Sequence, residues 1–189
     1  MSIPEQSRMS ADAFLAWVTT SATEQRYELI SGHPVAMAPE RLEHALVKFA
    51  VTQALAAGVR AGDLPCTVFP DGVAVKVDDE TVYEPDASLR CGSPLDGKDA
   101  FISDPLIVVE VLSPSTAAKD IGSKLQHYFR LSSVQHYLVV NIDTKTIIHH
   151  RRSADAIETH LASDGELLLT PPGLRLKVAA CFASLTRSP

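Results

Sequence analysis

The sequence has few cysteines, no long apolar run and no excess of positive charge. Its three cysteines, Cys66, Cys91 and Cys181, include no Cys-x-x-Cys pair, which predicts a reduced, cytoplasmic protein with structural thiols. No stretch of about 18 apolar residues indicates a membrane span, and "MSIPEQSRMSADAF" lacks the apolar core of a signal peptide. The formal net charge of -6 excludes the global basic field of many nucleic-acid binders, so a phosphate partner would need a local patch or a metal ion.

What is present is the composition of an ordinary globular protein. The chain has 189 residues, of which 46% are hydrophobic and 21% are charged. This length fits one domain, and no repeat or low-complexity linker marks an internal boundary. We therefore predict a single domain over residues 1–189.

Helical and strand-like patterns alternate along the chain. The first part predicts a short helix from Ser10 to about Thr20, a β-hairpin turning at Ser31-Gly32, and a long helix from Pro39 to about Ala61. On the long helix one stripe contains Leu42, Leu46, Phe49 and Gln53. Strand-like segments "CTVFPDGVAVKV", "TVYEPDASLRC" and "PLIVVEVLS" precede a helix from Thr116 to about Leu131, and further strands follow it. This order predicts an α/β or α+β domain built on a mixed sheet.

Glu110 is an ionisable residue inside the apolar run "LIVVEVLSPST". Alternation leaves both faces of this strand apolar, which indicates a central strand covered on both sides. An unpaired carboxylate there would cost several kcal/mol or undergo a large pKa shift. Glu110 lies close to the C-terminal end of the strand, where sheet-based active sites tend to form. From the residues alone, a structural pair with an arginine or lysine explains it equally well.

Asp86 follows Pro85 in "YEPDASL". Proline cannot donate to a β-ladder, so it marks a strand edge, a bulge or a strand start. Taken by itself, Asp86 is best explained as a turn residue. Together with Glu110 on a neighbouring strand it would form a repelling pair of carboxylates, and a divalent cation would relieve that repulsion. Hard oxygen ligands favour Mg²⁺ or Mn²⁺ over zinc.

The helix "STAAKDIGSKLQHYFRL" carries a lysine on the flank of its apolar stripe. Lys124 therefore leans toward the sheet, although an exposed i,i+4 pair with Asp120, worth a few tenths of a kcal/mol, explains it as well. Gly122 costs about 1 kcal/mol against alanine inside a helix. Close approach of another backbone would account for that glycine.

These segments together resemble the Uma2 family, a group of predicted restriction endonucleases within the PD-(D/E)XK nuclease superfamily. The resemblance is carried by "YEPDASL", "LIVVEVLSPSTAAKDIGSKLQHYFRL" and "VQHYLVVN", and "RYELISGHPVAMAP" and "LEHALVKF" extend it over most of the chain. It implies a restriction-endonuclease-like core, with a central mixed β-sheet flanked by helices.

The resemblance also implies a site. Pro85-Asp86 matches the PD element, and Glu110 matches the acidic residue of the (D/E)XK element. The lysine that the superfamily places two residues after this acid is replaced by Leu112, and the family places its lysine on the following helix, which points to Lys124.

Further correspondences concern the metal ligands and the later strand. The backbone carbonyl of Val111 and the helical acid Glu43 correspond to additional ligands of Mg²⁺ or Mn²⁺ in some superfamily members. The stretch "QHYLVVN" departs from the family pattern at Gln135, Leu138 and Asn141, so a structural role is expected for that strand.

The activity implied is that of a metal-dependent endonuclease acting on DNA. Asp86 and Glu110 would bind the ion, and Lys124 would position or activate the attacking water. Ser113, Ser115 and Thr116 at the helix start could contact a phosphate, or could simply cap the helix. A homodimer is expected because cutting both strands of a duplex needs two centres.

Two other functions are compatible with the residues. The fold could serve a non-catalytic module that binds nucleic acid or assembles with itself, which the acidic net charge favours. The same centre could instead cut RNA or a branched DNA junction. "HHRR" at residues 149–152 is the densest basic cluster and is equally consistent with a solvated hairpin edge.

Overall fold

The structure, a computed structural model, describes residues 8–21, 25–112 and 119–185. In this part of the chain the α-helices are α1 (Ala11–Thr20), α2 (Leu42–Ala61), α3 (Lys119–Tyr128) and α4 (Val178–Cys181), and a 3₁₀ turn follows at Ala183–Leu185. Ser10 caps α1 as predicted, because its Oγ accepts a hydrogen bond from the N–H of Ala13 at 3.2 Å. The long helix begins three residues later than predicted, since Arg41 still has an extended backbone.

The strands of the described residues form three sheets. They are β1 (Tyr27–Ile30), β2 (His33–Ala36), β3 (Cys66–Pro70), β4 (Ala74–Asp78), β5 (Thr81–Tyr83), β6 (Ala87–Cys91), β7 (Phe101–Ile102), β8 (Ile107–Leu112), β9 (His136–Asn141), β10 (Thr146–Arg152), β11 (Ile157–Ala162), β12 (Glu166–Leu169) and β13 (Leu174–Lys177). The predicted hairpin joins β1 to β2, with φ of 50° at Ser31 and 81° at Gly32. Positive φ at both central residues is the geometry that fits a two-residue hairpin turn.

The largest sheet has six strands in the order β11-β10-β9-β8-β6-β3. Its β8 and β9 are parallel while its other pairs are antiparallel, so the sheet is mixed as predicted. A second sheet has the order β2-β1-β5-β4-β7, and β12 and β13 form a separate pair. The strand carrying Glu110 lies inside the six-stranded sheet.

Both faces of the six-stranded sheet are covered. Ile107, Val109 and Val111 of β8 belong to a core shared with α2, α4 and the β12–β13 pair. Val108 on the other face packs with β4, β5, β9 and α3. Central β8 is therefore buried on both sides, and Glu110 lies on the face that is covered by α3.

The three cysteines do not all remain thiols. Cys66 and Cys91 are cross-strand partners of β3 and β6 and form a disulfide, while Cys181 is a buried free thiol. The prediction of reduced thiols is wrong for this pair because the antiparallel register brings two residues that are 25 apart in sequence directly opposite each other.

The glycine in α3 is not at a close contact. Among the described residues, a Cβ built on Gly122 meets nothing within 4 Å, so no described backbone makes the close approach that was predicted there. The close approach lies in α2 instead, where a Cβ on Gly58 would be 2.9 Å from the backbone oxygen of Arg175.

The "HHRR" segment is part of β10 and is engaged in the fold. His149 and His150 are buried, and Arg151 pairs with Glu158 at 2.6 Å. Arg152 donates to backbone oxygens just after α3, including that of Phe129 at 2.7 Å. These contacts leave little of the segment to act as a free basic patch.

Within the described residues, no helix combines the length and the apolar character needed to cross a membrane.

Candidate active site

Asp86 directly precedes β6, which is the antiparallel neighbour of the strand that carries Glu110. Ala87 of β6 pairs with Val109 of β8, so one step further along the register places Asp86 opposite Glu110. The Oδ2 of Asp86 accepts a hydrogen bond of 2.6 Å from the N–H of Val111, and both acids line the same cavity. The lysine partner of Asp86 comes from α2 and that of Glu110 comes from α3, so what the two carboxylates share is the cavity that both line.

Lys124 reaches Glu110 from α3. Its Nζ lies 3.0 Å from Oε1 of Glu110 and 2.9 Å from Oε1 of Glu28 on β1. Leu112, which stands where the superfamily has its lysine, packs instead against the core shared with α3. The ammonium group beside Glu110 therefore comes from Lys124 on α3 and not from position 112 of the strand.

Glu28 and Tyr128 complete the surroundings of Glu110. The hydroxyl of Tyr128 donates to Oε1 of Glu110 at 2.8 Å, and Glu28 accepts the N–H of Glu84 at 3.2 Å. Burial, and then the charge of Glu110, raise the pKa of the Tyr128 hydroxyl well above its usual range, so it stays a neutral donor.

The charges of this group are set by burial and by each other. Burial is the largest effect on both acids and raises the pKa of Glu110 and of Glu28, because one ammonium group cannot neutralise two buried carboxylates. Burial alone would lower the pKa of Lys124, but the carboxylates of Glu110 and Glu28 together hold it well above its ordinary value. Lys124 is therefore the firmly charged member of the group, and the two acids share the surplus negative charge.

A second lysine, Lys48 of α2, contacts Asp86. Its Nζ lies 3.3 Å from Oδ1 of Asp86 and 2.7 Å from Oδ2 of Asp71, which Arg26 also binds. Burial has the largest effect on Asp86 and raises its pKa, while the charge of Lys48 opposes that shift. Asp86 and Glu110 thus each contact a buried ammonium group, and each of these groups also contacts another acid.

His44 of α2 lies at the carbonyl that was expected to bind metal. Its Nε2 is 2.6 Å from the backbone oxygen of Val111, and its Nδ1 is 2.7 Å from Oε1 of Glu40. The imidazole nitrogen at the Val111 oxygen must carry a proton, since a carbonyl only accepts.

Glu43 lies apart from this group. Its side chain is exposed, whereas Glu40, His44 and Lys48 line the cavity. Residues four apart in a helix share a face, and the face that carries His44 and Lys48 points to the cavity. Glu43 precedes His44 by one residue and therefore points away from Asp86 and Glu110.

The cavity has a volume of about 670 Å³ and is lined by Glu28, Asp86, Glu110, Val111, Lys48 and Lys124 among others. Among the described residues no group of three or more histidine, cysteine and acidic side chains is placed to hold a metal ion. Mg²⁺ commonly needs only one or two protein carboxylates and completes its shell with water and phosphate oxygens. The donor chemistry of Asp86, Glu110 and the Val111 oxygen therefore fits such an ion.

Several residues of this cavity were not predicted from the sequence. Glu28 was missed although it carries the signal that singled out Glu110, an ionisable residue alternating with buried apolar ones in "YELI". Lys48 has a weaker signal, a lysine on the buried side of its helix. His44 has none, because an isolated histidine on a helix is common.

The remaining predicted residues lie elsewhere. Ser113, Ser115 and Thr116 fall outside the described residues. Leu138 is fully buried in the core under α2, Asn141 accepts the N–H of Thr144 at 3.1 Å, and the amide of Gln135 donates to the oxygen of Ser132. These contacts are all structural in kind.

Comparison with known proteins agrees with the resemblance read from the motifs. The Uma2 family model, described as "Putative restriction endonuclease", matches residues 11–182. The uncharacterized protein slr1290 of Synechocystis is 28% identical over 183 residues, which cover 94% of this chain and 93% of that protein. A solved structure from Anabaena variabilis, described as "a putative nuclease belonging to DUF820", has a TM-score of 0.74 at 17% identity and covers 94% of this chain and 99% of its own. That likeness confirms the predicted fold. Because the family model spans most of its length, the chain belongs to the Uma2 family.

Proposed function

We propose that this chain is a metal-dependent nuclease that hydrolyses phosphodiester bonds of DNA, with Asp86, Glu110 and Lys124 as its catalytic residues. The observation that carries the proposal is the 3.0 Å contact between Nζ of Lys124 and Oε1 of Glu110, in a cavity that Asp86 also lines. The family description and the nuclease-like fold support the same class of reaction.

Asp86 and Glu110, with the backbone oxygen of Val111, are the proposed ligands of Mg²⁺ or Mn²⁺. When bound, such an ion polarises the scissile phosphate and lowers the pKa of the attacking water. His44 would release the Val111 oxygen for this purpose, and its Nδ1 contact with Glu40 gives the ring a second anchor.

Lys124 acts in this proposal as a cation and not as a base. Its pKa lies well above the ordinary value, so at neutral pH it can donate hydrogen bonds to phosphate oxygens and stabilise the charge that develops on them. If Glu110 bound a metal ion, Glu28 would still contact the ammonium group of Lys124. The hydroxyl of Tyr128 orients the Glu110 carboxylate.

The proposed substrate is duplex DNA, whose two strands require two centres and hence a homodimer. RNA and branched DNA contain the same phosphodiester bond, so the rates at which they are cleaved must be compared with the rate for duplex DNA.

One observation favours a second candidate, a non-catalytic module that binds nucleic acid. Lys124 and Lys48 already contact Glu110 and Asp86 at 3.0 and 3.3 Å, so each acid has a cationic partner without a metal ion. A protein of this kind would bind nucleic acid without cutting it.

Cleavage of plasmid DNA, duplex and single-stranded oligonucleotides, a four-way junction and RNA, each with Mg²⁺ or Mn²⁺, tests the proposal. Glu110→Gln and Lys124→Met should each lower the rate by about a hundredfold or more, since electrostatic groups at a reacting phosphate contribute on that scale. Glu158→Gln on β11, which alters an exposed carboxylate paired with Arg151, is the matched control and should cleave like the wild type.

Equal activity of the wild type, Glu110→Gln and Lys124→Met would exclude this centre. Binding of DNA without cleavage under every metal condition would favour the second candidate.

A further inference from the structure

The outward side of α2 is unusual for a surface helix because it carries almost no charge. Leu42, Leu46 and Phe49 are exposed to 78%, 41% and 62%, and Gln53 and Ala57 continue the same stripe. We call these five residues the α2 face.

Charged side chains are confined to the two ends of this helix and to its buried side. Glu43 lies in the first turn and Arg60 in the last, and Lys48 is buried against Asp86 and Asp71. Surface helices normally present charged and polar residues to water on the side away from the core.

The opposite side of the helix is apolar as well. Val47, Val51 and Leu55 are buried in the core beneath the six-stranded sheet. A helix that is apolar on both sides is typical of one that is covered on both sides, and a contiguous exposed apolar stripe marks an interaction surface. Within the part of the chain that the structure describes, only one side of α2 is covered.

We propose that a second copy of this chain covers the α2 face, with the two α2 helices packed antiparallel about a two-fold axis near Phe49. The stripe has large apolar residues at its N-terminal end, Leu42 and Leu46, and the small Ala57 at its C-terminal end. Antiparallel pairing sets the large end of one helix against the small end of the other, so both ends pack closely. Parallel pairing would set large against large and leave the small ends apart.

The charges at the helix ends agree with this pairing. An antiparallel pair brings the end that carries Glu43 beside the end of the other helix that carries Arg60, and it aligns the two helix dipoles in opposite directions. A parallel pair would bring Glu43 beside Glu43 and Arg60 beside Arg60. A second copy related by a two-fold axis automatically presents small residues opposite large ones and Arg60 opposite Glu43. Any other partner would need a surface that happens to match both features.

The pairing has a consequence for the cavity. His44 and Lys48 reach the cavity from the same helix that carries the α2 face. Two copies joined through α2 therefore carry their cavities on either side of one two-fold axis. That arrangement would let one assembly meet both strands of a duplex, a consequence that rests on the proposed function, while the interface itself does not.

Sedimentation equilibrium of the full chain over a wide range of concentration tests the interface. We expect a concentration-dependent dimer for the wild type, and Phe49→Glu should weaken it about tenfold or more because it places a charge at the centre of the contact. Leu161→Glu is the matched control, since Leu161 is 71% exposed on β11, and it should dimerise like the wild type. At concentrations where the wild type is monomeric, urea unfolding of Phe49→Glu should match that of the wild type, because Phe49 faces water in the single chain.

Cysteine cross-linking tests the direction of the pairing. Oxidised Phe49→Cys should form a covalent dimer, Leu42→Cys alone should not, and a mixture of Leu42→Cys and Ala57→Cys chains should form a mixed covalent dimer. Cys66 and Cys91 are already paired and Cys181 is buried, so background cross-linking is low.

A monomeric wild type at every concentration, or a dimer that Phe49→Glu leaves unchanged, would overturn the interface. Efficient self-linking of Leu42→Cys would overturn the antiparallel direction. A dimer without nuclease activity would contradict the proposed function and leave the interface intact. A monomer that still cuts DNA would contradict the interface and the homodimer proposed for duplex cleavage, but not the catalytic centre.

Discussion

The charge arrangement at Lys124 leads to a sharp prediction for Lys124→Met. The methionine keeps the length of the side chain and removes the ammonium group that lies 3.0 Å from Glu110 and 2.9 Å from Glu28. All three side chains are almost buried, with exposures of 10%, 13% and 9%. Removing one partner of a buried ion pair costs about 3–5 kcal/mol, since the remaining charge is left without compensation.

Urea unfolding measures this loss. We expect Lys124→Met to lower the free energy of unfolding by about 3–5 kcal/mol at neutral pH and by less in mildly acidic buffer, where the two freed carboxylates take up protons in the folded state. Adding Glu28→Gln to Lys124→Met should recover part of the loss, because one of the uncompensated charges is then gone.

Lys76→Met is the matched control. Lys76 contacts Asp12 at 2.8 Å, but the Asp12 side chain is 80% exposed, and pairs of this kind contribute about 0–1 kcal/mol. If Lys124→Met loses no more stability than Lys76→Met, Lys124 is not held between two buried carboxylates, and the charge arrangement of the site is wrong.

Two further predictions concern other parts of the fold. His136 Nδ1 lies 2.9 Å from His149 Nε2, and burial is the main cause that lowers the pKa of each to about 4. Between the ordinary value near 6.5 and about 4, the unfolded chain binds protons that the folded chain does not, so each histidine should lower the free energy of unfolding by about 3 kcal/mol as the pH drops through this window. Urea unfolding at several pH values should show a smaller fall in the free energy of unfolding for His149→Gln than for the wild type, and an equal pH dependence would contradict this explanation. The raised pKa values of the cavity acids act in the opposite direction, but they contribute equally to the wild type and to His149→Gln. In α3, Gly122→Ala should raise the free energy of unfolding by about 0.5–1 kcal/mol because its Cβ meets no atom of the described residues within 4 Å. Gly58→Ala should instead lower it by about 1–3 kcal/mol because its Cβ meets the Arg175 oxygen at 2.9 Å. Changes of equal sign in the two variants would refute the packing of α2 on β13.

Much of the fold follows from local patterns. The alternation around Glu110 predicts a central strand covered on both faces, and β8 lies inside the six-stranded sheet. The pair Ser31-Gly32 predicts the hairpin of β1 and β2, since its backbone needs positive φ at both positions. These features depend on neighbours in the chain, so the sequence is sufficient for them.

Contacts between distant segments could not be predicted in the same way. Glu28 and Lys124 are 96 residues apart, and only the order of strands and the packing of α3 bring them to 2.9 Å. The disulfide of Cys66 with Cys91 has the same origin, because it depends on the register of β3 against β6.

The sequence by itself therefore determined which side chains are out of place in an apolar setting and which face of an element each one occupies. Periodicity is a local property, and it placed Glu110 on its strand face and Lys124 on the flank of its helix. The tertiary structure alone decided their partners: Tyr128 for Glu110, Glu28 for Lys124, and Lys48 for Asp86. It also decided which side of α2 is covered, because a helix that is apolar on both sides can bury either one until the sheet is assembled against it.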